Sequence, residues 1–145
     1  MSTALRHSQG RKGFTLVELA VVIIIIGVLA AFAVPRFLDA VERSKAAESF
    51  NYLSAVRAAQ ERYQTRQGTY ADDITKLDIQ MSAPKYFSVG TPAAGTSGSL
   101  EDSWTLTLTR AGAAGGYGTY KVVFTDQGFD STNSTIPEKI NPMQQ

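Results

Sequence analysis

Two hydrophobic patterns divide the chain. From Phe14 to Val34 Glu18 is the only charged residue, and the run is almost continuously apolar. From about Phe37 to Arg66 the apolar positions recur three to four apart. Tyr52, Val56, Ala59 and Tyr63 form one stripe, Leu53 broadens it, and Phe37 and Val41 begin a stripe nearer the first run. As a helix, residues 14 to 34 rise about 31 Å, close to the thickness of a bilayer's hydrocarbon core. The β-branched Ile23–Ile26 stretch weakens a helix in water. In lipid the backbone must satisfy its own hydrogen bonds, and helix is the local solution. After Pro35 no glycine or proline intervenes until Gly68, which reads as a helix stop. Together the patterns predict one helix of about 50 residues, roughly 80 Å long. Asp39 and Arg43 are expected as an i,i+4 ion pair on it.

Beyond Gly68 the period changes. Residues 68 to 100 are turn-rich, with a short strand expected around Tyr86–Val89. Ser103–Thr109 alternates strictly and puts Trp104, Leu106 and Leu108 on one side, the mark of a half-buried strand. Ala111–Gly118 is a glycine-rich turn. Tyr117–Phe124 reads as a second strand with Tyr120, Val122 and Phe124 on one face, completing an antiparallel hairpin. An irregular polar tail is expected from Gly128. The predicted fold class is α+β: a long N-terminal α-helix, apolar in its first half and amphipathic in its second, packed against a small antiparallel β-sheet. The segments are a basic leader (1–13), an apolar helix (14–35), its amphipathic continuation (36–67), and a loop-plus-sheet domain (68–145).

Charge sharpens this picture. The net charge of +1 does not point to nucleic acid as a partner. Arg6, Arg11 and Lys12 precede Gly13, however, with no acid among them. Positive residues before an apolar run hold that end on the cytoplasmic side, so the remainder is expected to face outward. The chain has no cysteine, and His7 is its one histidine. A chain cut after Gly13 therefore has neither, which removes most nucleophile–base pairs and transition-metal sites. No glycine-rich phosphate loop opens a helix. The expectation is a protein that is not an enzyme and holds no cofactor. Asp72 and Asp73 read as a turn or helix cap. Asp126, Asp130 and Asn133 put oxygen ligands in one loop, a weak calcium candidate. That loop fails the EF-hand template, with glycine at its third position and Pro137 where the bidentate Glu belongs, so turn chemistry is the default. Asn133-Ser134-Thr135 has the form of a glycosylation acceptor.

The apolar run admits three readings: a plain membrane anchor, a secretory signal cut after Ala31-Phe32-Ala33, or a segment retained after cleavage in front of it. Glu18 bears on the choice. A carboxylate in a membrane helix costs about 2.5–3.5 kcal/mol at the bilayer centre and less near an end. Neither an anchor nor a signal peptide has a use for it. If the cut follows Gly13, Phe14 carries a new amine, and Glu18 lies about 6 Å further along the axis. The amine of a neighbouring subunit would then neutralise it, in a low dielectric that strengthens the attraction. Gly27 costs about 1 kcal/mol in a helix interior, and Pro35 removes a backbone hydrogen bond and kinks or ends the helix. Both mark a stretch able to bend. Close packing of a neighbouring helix is the other account of Gly27.

The stretch Lys12-Gly13-Phe14-Thr15-Leu16-Val17-Glu18-Leu19 resembles the class III signal of type IV pilins and the related pseudopilins, and Gly27 and Pro35 fall where such pilins carry a glycine and a proline. The resemblance covers about a fifth of the chain. It implies cleavage after Gly13 by a prepilin peptidase, N-methylation of Phe14, and packing of residues 14–37 into the core of a homopolymeric filament. It also implies an inner-membrane precursor, an assembly platform with its ATPases, and a final place in a surface filament or a periplasmic pseudopilus. Within the family the alternative is a pseudopilin of a type II secretion system, whose major members bind calcium in the C-terminal region. Outside it the alternative is a single-pass anchored binding module. Many pilins close their C-terminal loop with a disulfide. Without cysteine, packing or loop contacts must hold residues 125–145.

Overall fold

The computed structural model describes residues 13–144, so Arg6, His7, Arg11 and Lys12 of the leader lie outside the described residues. The chain divides into two compact units, one ending at Arg36 and the other beginning at Phe37. Helix α1 (Leu16–Gln67) contributes to both.

In the first unit α1 buries nothing. Leu16, Val17, Leu19, Val21, Val22, Ile23–Ile26, Val28, Leu29, Phe32 and Val34 are all exposed. This is the one helix among the described residues long and apolar enough to cross a membrane. Gly27 has open space around the position a Cβ would take, so nothing among the described residues packs closely there. Pro35 does not end the helix, which continues to Gln67.

In the second unit the pattern along α1 becomes a buried face. Glu42, Ala46, Ser49, Phe50, Tyr52, Leu53, Val56, Ala59 and Gln60 are buried, at spacings that bring successive turns onto one side. Phe50, Tyr52, Leu53, Val56 and Ala59 of this face share a core with Trp104, Leu106, Leu108, Val122 and Phe124 from the sheet and with Tyr120. Phe50 meets Phe124 edge-on with ring centroids 5.6 Å apart. Full burial stabilises each large apolar side chain by roughly 1.5–3 kcal/mol. The expected stripe from Tyr52 to Ala59 is thus the core face, with Tyr63 half-buried at its end. Phe37 remains exposed and Val41 half-buried, so cover starts only at Glu42. Gly68, at φ +79°, ends the helix and returns its N–H to the Gln64 carbonyl at 2.8 Å, the left-handed stop that glycine adopts without strain.

The sheet has five strands: β1 (Phe87–Val89), β2 (Ala93–Ala94), β3 (Trp104–Arg110), β4 (Lys121–Thr125) and β5 (Gly128–Phe129). The order is β1-β3-β4-β5, with β2 also on β3, and every pairing is antiparallel. Burial along β3 alternates without a break, Trp104, Leu106, Leu108 and Arg110 inward and the threonines outward. The expected hairpin is β3–β4, in the register Leu106↔Phe124 and Leu108↔Val122.

Four features differ from expectation. Strand β4 begins at Lys121 rather than Tyr117, since Gly112, Gly115, Gly116 and Gly118 all adopt positive φ and keep the preceding loop out of the ladder. Strand β2, unanticipated, lies in the Thr91–Ser99 loop. Gly95 follows it, and a Cβ there would stand 2.8 Å from the Ser103 hydroxyl, so the close approach needs glycine. The segment after Gly128 is not irregular throughout. It forms β5 across an Asp126–Gln127 turn, then a 3-10 turn at Glu138–Ile140 whose Ile140 is fully buried. Finally, Asp39 and Arg43 do not pair with each other. Asp39 takes Lys139 and the Tyr117 hydroxyl, while Arg43 donates to the Lys139 carbonyl at 2.7 Å.

Candidate functional site

The helix start carries the residues singled out for processing and assembly. Gly13 and Phe14 precede α1 and are exposed. Thr15 is its N-cap. The Glu18 N–H donates to the Thr15 hydroxyl at 3.2 Å, and Glu18 Oε2 accepts from the Thr15 N–H at 2.8 Å and from its hydroxyl at 3.0 Å. This reciprocal pair is a capping box, satisfying two of the four N–H groups that a helix leaves orphaned at its start. It also gives the carboxylate a place in the positive end of the helix dipole. The odd charge in the apolar run therefore has a local partner. Reading the run by its cost alone missed Thr15. The signal was present, since Thr-x-x-Glu before an apolar run is the sequence mark of a capping box. Glu18 Oε1 has no hydrogen-bond partner among the described residues.

Gly27 and Pro35 lie further along the same exposed helix. Gly13 and Phe14 thus lie just before α1 and Glu18 in its first turn, whereas Gly27 and Pro35 are several turns further along it.

The second unit holds a polar centre that the periodicity did not reveal. Glu42 and Arg110 are each 1% exposed at the side chain. Arg110 Nε donates to Glu42 Oε1 at 2.5 Å and Nη2 to Oε2 at 3.1 Å, a bidentate pair. The Tyr120 hydroxyl donates to Oε1 at 3.0 Å. The remaining guanidinium hydrogens reach the carbonyls of Tyr86, Ala111 and Ala113. Burial alone would raise the Glu42 pKa. Arg110 and Tyr120 outweigh it and hold the carboxyl below its ordinary value. Burial and the Glu42 charge push the Tyr120 phenol far above its own. One carboxylate on the helix thereby fixes β3, the start of β4 and the glycine loop between them. The arrangement positions backbone. The Arg110 and Glu42 hydrogen bonds run to groups of this chain's own helix, strand and loop, and their role there is structural.

The C-terminal segment is closed without sulfur. Lys139 bridges to Asp39, Arg43 holds the Lys139 carbonyl, and Ile140 and Asn141 are buried. The Lys139 ammonium, then the Tyr117 hydroxyl, keep Asp39 below the usual carboxylate range. Asp130 Oδ1 accepts from the Thr132 and Asn133 N–H groups and Oδ2 from the Asn133 amide at 2.7 Å, all within one turn. Asp126 Oδ2 accepts from the Gln127 side chain. No cluster of three His, Cys, Asp or Glu able to hold a metal occurs among the described residues. Asp73 caps the Ile74–Lys76 turn through the Thr75 N–H, and Asp72 pairs with Lys76.

An exposed apolar helix with a capped start, and an α+β unit whose charges serve its own backbone, define a structural subunit that lipid or further protein must complete. Comparison places it more closely. Residues 8–34 match the family model of the prokaryotic N-terminal methylation motif. The chain is 40% identical over 110 residues to the fimbrial protein EcpC of Eikenella corrodens, covering 74% of this chain and 69% of that protein. It is 40% identical over 67 residues to the type IV major pilin protein PilA of Myxococcus xanthus, covering 46% of this chain and 30% of that one. Against the type IV major fimbrial protein FimA of Dichelobacter nodosus the identity is 49% over 47 residues, 32% of this chain and 29% of that one. The chain thus spans more than two thirds of the first relative and under a third of the other two. The chain belongs to the type IV pilin family, whose members are structural subunits, and it is not an enzyme.

Proposed function

We propose that this chain is the structural subunit of a type IV pilus-like filament. It is made as a membrane-held precursor with a cytoplasmic leader, cleaved after Gly13 by a prepilin peptidase, N-methylated at Phe14, and polymerised through residues 14–37. The observation that carries this reading is the methylation-motif match at residues 8–34, on a helix whose apolar side chains have no cover of their own. Once assembled, copies of the same helix replace lipid around those side chains. Their packing is then driven by close contact, not by release of water, since lipid tails are as apolar as leucine. Assembly platform and ATPases supply the work of extension.

In this reading Glu18 has two tasks. One oxygen caps its own helix through Thr15, and the other receives the Phe14 amine of an adjacent copy, setting the register between subunits. The two tasks separate experimentally. Glu18→Gln keeps a capping-box side chain but removes the charge. Thr15→Ala keeps the charge but removes the cap. The proposal expects filaments to be lost or shortened in Glu18→Gln and in Glu18→Ala, and retained in Thr15→Ala. Normal filaments from Glu18→Gln would overturn the charge-pairing role. Mass spectrometry of the mature chain tests processing: a mass starting at methylated Phe14 is expected, and one starting at Val34 identifies ordinary secretion instead.

A further inference from the structure

Away from Glu42 and Arg110, a cavity of about 250 Å³ opens between α1, the turn at Asp73–Ile74 and the end of β1. Its walls are aliphatic: Ile74, Ala83, Val89 and Pro92. Its floor is Tyr52 of α1, which is 3% exposed. The Tyr52 ring belongs to the core, yet its hydroxyl has no hydrogen-bond partner among the described residues and is not sealed from solvent. A buried phenol ordinarily finds a partner, and this one is left to the cavity. Asp73 stands at the rim. Its Oδ1 accepts from the Thr75 N–H at 2.8 Å and from the Thr75 hydroxyl at 2.7 Å, and its Oδ2 has no partner among the described residues. Those two bonds, the N–H first, keep the Asp73 carboxyl below its ordinary value, so it is ionised. Burial pushes the Tyr52 phenol up, so it stays neutral. Lys76, the cation of the same turn, is taken by Asp72. Gly90 fixes the wall beside β3. Its N–H donates to the Thr107 carbonyl at 3.0 Å, and a Cβ there would stand 2.8 Å from that oxygen.

The volume exceeds the about 150 Å³ of a cavity that takes benzene and falls below the roughly 300–1,000 Å³ of sites for drug-sized ligands, so a side-chain-sized group fits. We propose that this cavity is a binding site for an alkylammonium group, the chemistry of a lysine side chain or of a small aliphatic amine. The stem lies along Ile74, Val89 and Pro92. The ammonium head donates to Asp73 Oδ2 and to the Tyr52 hydroxyl oxygen, and its third hydrogen is left to water. Other classes fit less well. Asp73 repels an anion. A guanidinium is a planar fork that wants two carboxylate oxygens side by side, and Oδ1 is already committed to Thr75. A wholly apolar ligand would leave the Tyr52 hydroxyl unpaired. The site lies within the second unit, so the inference stands whether or not the chain forms filaments.

The test uses the full chain in detergent, isotope-labelled for amide NMR and titrated with Nα-acetyl-lysine methylamide and with n-butylammonium chloride. Nα-acetyl-norleucine methylamide serves as the uncharged control. Saturable shifts are expected at the Ile74, Gly90 and Thr91 amides with an ammonium probe. The norleucine compound should bind at least about tenfold more weakly, the scale of one hydrogen bond to a charged group. Asp73→Asn keeps a side chain able to cap the Ile74–Lys76 turn but removes the charge, and should weaken ammonium binding about tenfold. Tyr52→Phe keeps the ring in the core but removes the hydroxyl, and should weaken binding about threefold to tenfold. Trp104, the single tryptophan and fully buried, reports by its emission whether that core is intact. Should its emission change in Tyr52→Phe, Asp73→Asn carries the test alone. Saturation by the lysine compound alone identifies a protein side chain as the ligand. Saturation by butylammonium, with or without the lysine compound, identifies free amines. No saturable shift with either probe overturns the site. Equal binding of the norleucine compound, or undiminished binding in Asp73→Asn, overturns the ammonium chemistry.

Discussion

Glu18 and Glu42 stand on the same helix, each next to apolar residues, and the molecule treats them in opposite ways. Glu18 is exposed and spends one oxygen on the helix start. Glu42 is buried and receives two hydrogen bonds from Arg110 of β3 and one from Tyr120 just before β4, with Lys45 at 3.5 Å besides. The first is satisfied within four residues; the second needs a partner 68 residues away. The apolar residues around them differ in the same manner. Those near Glu18 are exposed, whereas Glu42 opens the buried face of the helix that runs on through Ala46, Phe50 and Leu53. A carboxylate is thus a poor guide to environment until its partner is known, since identical chemistry serves a local cap in one place and a tertiary clamp in another.

The contrast breaks most severely at the buried pair. Replacing Arg110 by Met strips Glu42 of its bidentate partner inside the unit, leaving it the Tyr120 hydroxyl and Lys45, and a loss of about 3–5 kcal/mol is expected, measured by urea unfolding followed through Trp104. Replacing Glu42 by Leu as well should recover most of it, because an apolar pair of similar volume avoids the desolvation cost.

Leu53→Ala, in the covered part of α1, should cost about 2–5 kcal/mol in the same assay. Leu29→Ala, in the uncovered part, should leave the Trp104 transition where it was. A shift in both variants would mean that the two stretches unfold together.

Gln60 gives a smaller effect. Its amide donates to the Ala71 carbonyl at 3.0 Å and accepts the Ala71 N–H at 2.8 Å, both buried. Gln60→Leu orphans that peptide group and should cost about 1–3 kcal/mol, again by urea unfolding.

Acid provides a graded version of the first test. The Glu42 carboxyl lies below its ordinary value in the folded chain, so its contribution is present above the ordinary carboxylate range and is lost as pH falls below about 4.5. The Arg110→Met/Glu42→Leu variant should show less acid destabilisation than wild type over that range. Equal slopes would show that other carboxylates dominate.

The smallest effect is expected at Thr15→Ala. Loss of the cap should raise amide exchange at Glu18 and cost the local helix about 0.5–2 kcal/mol without moving the Trp104 transition.

Much of this was open to reading from the chain. The apolar run, the Tyr52–Ala59 face, the Gly68 stop and the β3–β4 hairpin each rest on a short-range pattern that one local structure satisfies. Thr15 was legible too, through its spacing to Glu18. Other features were not. Nothing near Arg110 distinguishes it from a surface cation that ends a strand, and nothing near Asp39 shows that Lys139, and not Arg43, is its partner. Strand β5 is two residues long, too short to show a period, and the Ser134 and Thr135 hydroxyls accept the Val123 and Lys121 N–H groups only because β4 lies beside them.

By itself the sequence determined where the backbone must hydrogen-bond locally: a helix along the apolar run, alternation in β3, and turns at glycine. Those choices depend on residues a few positions apart. The tertiary structure alone decided which polar groups meet, namely Glu42 with Arg110, Gln60 with Ala71, and the C-terminal hydroxyls with β4. A buried polar group must find a partner of opposite character wherever the fold brings one, and that distance is spatial and not sequential.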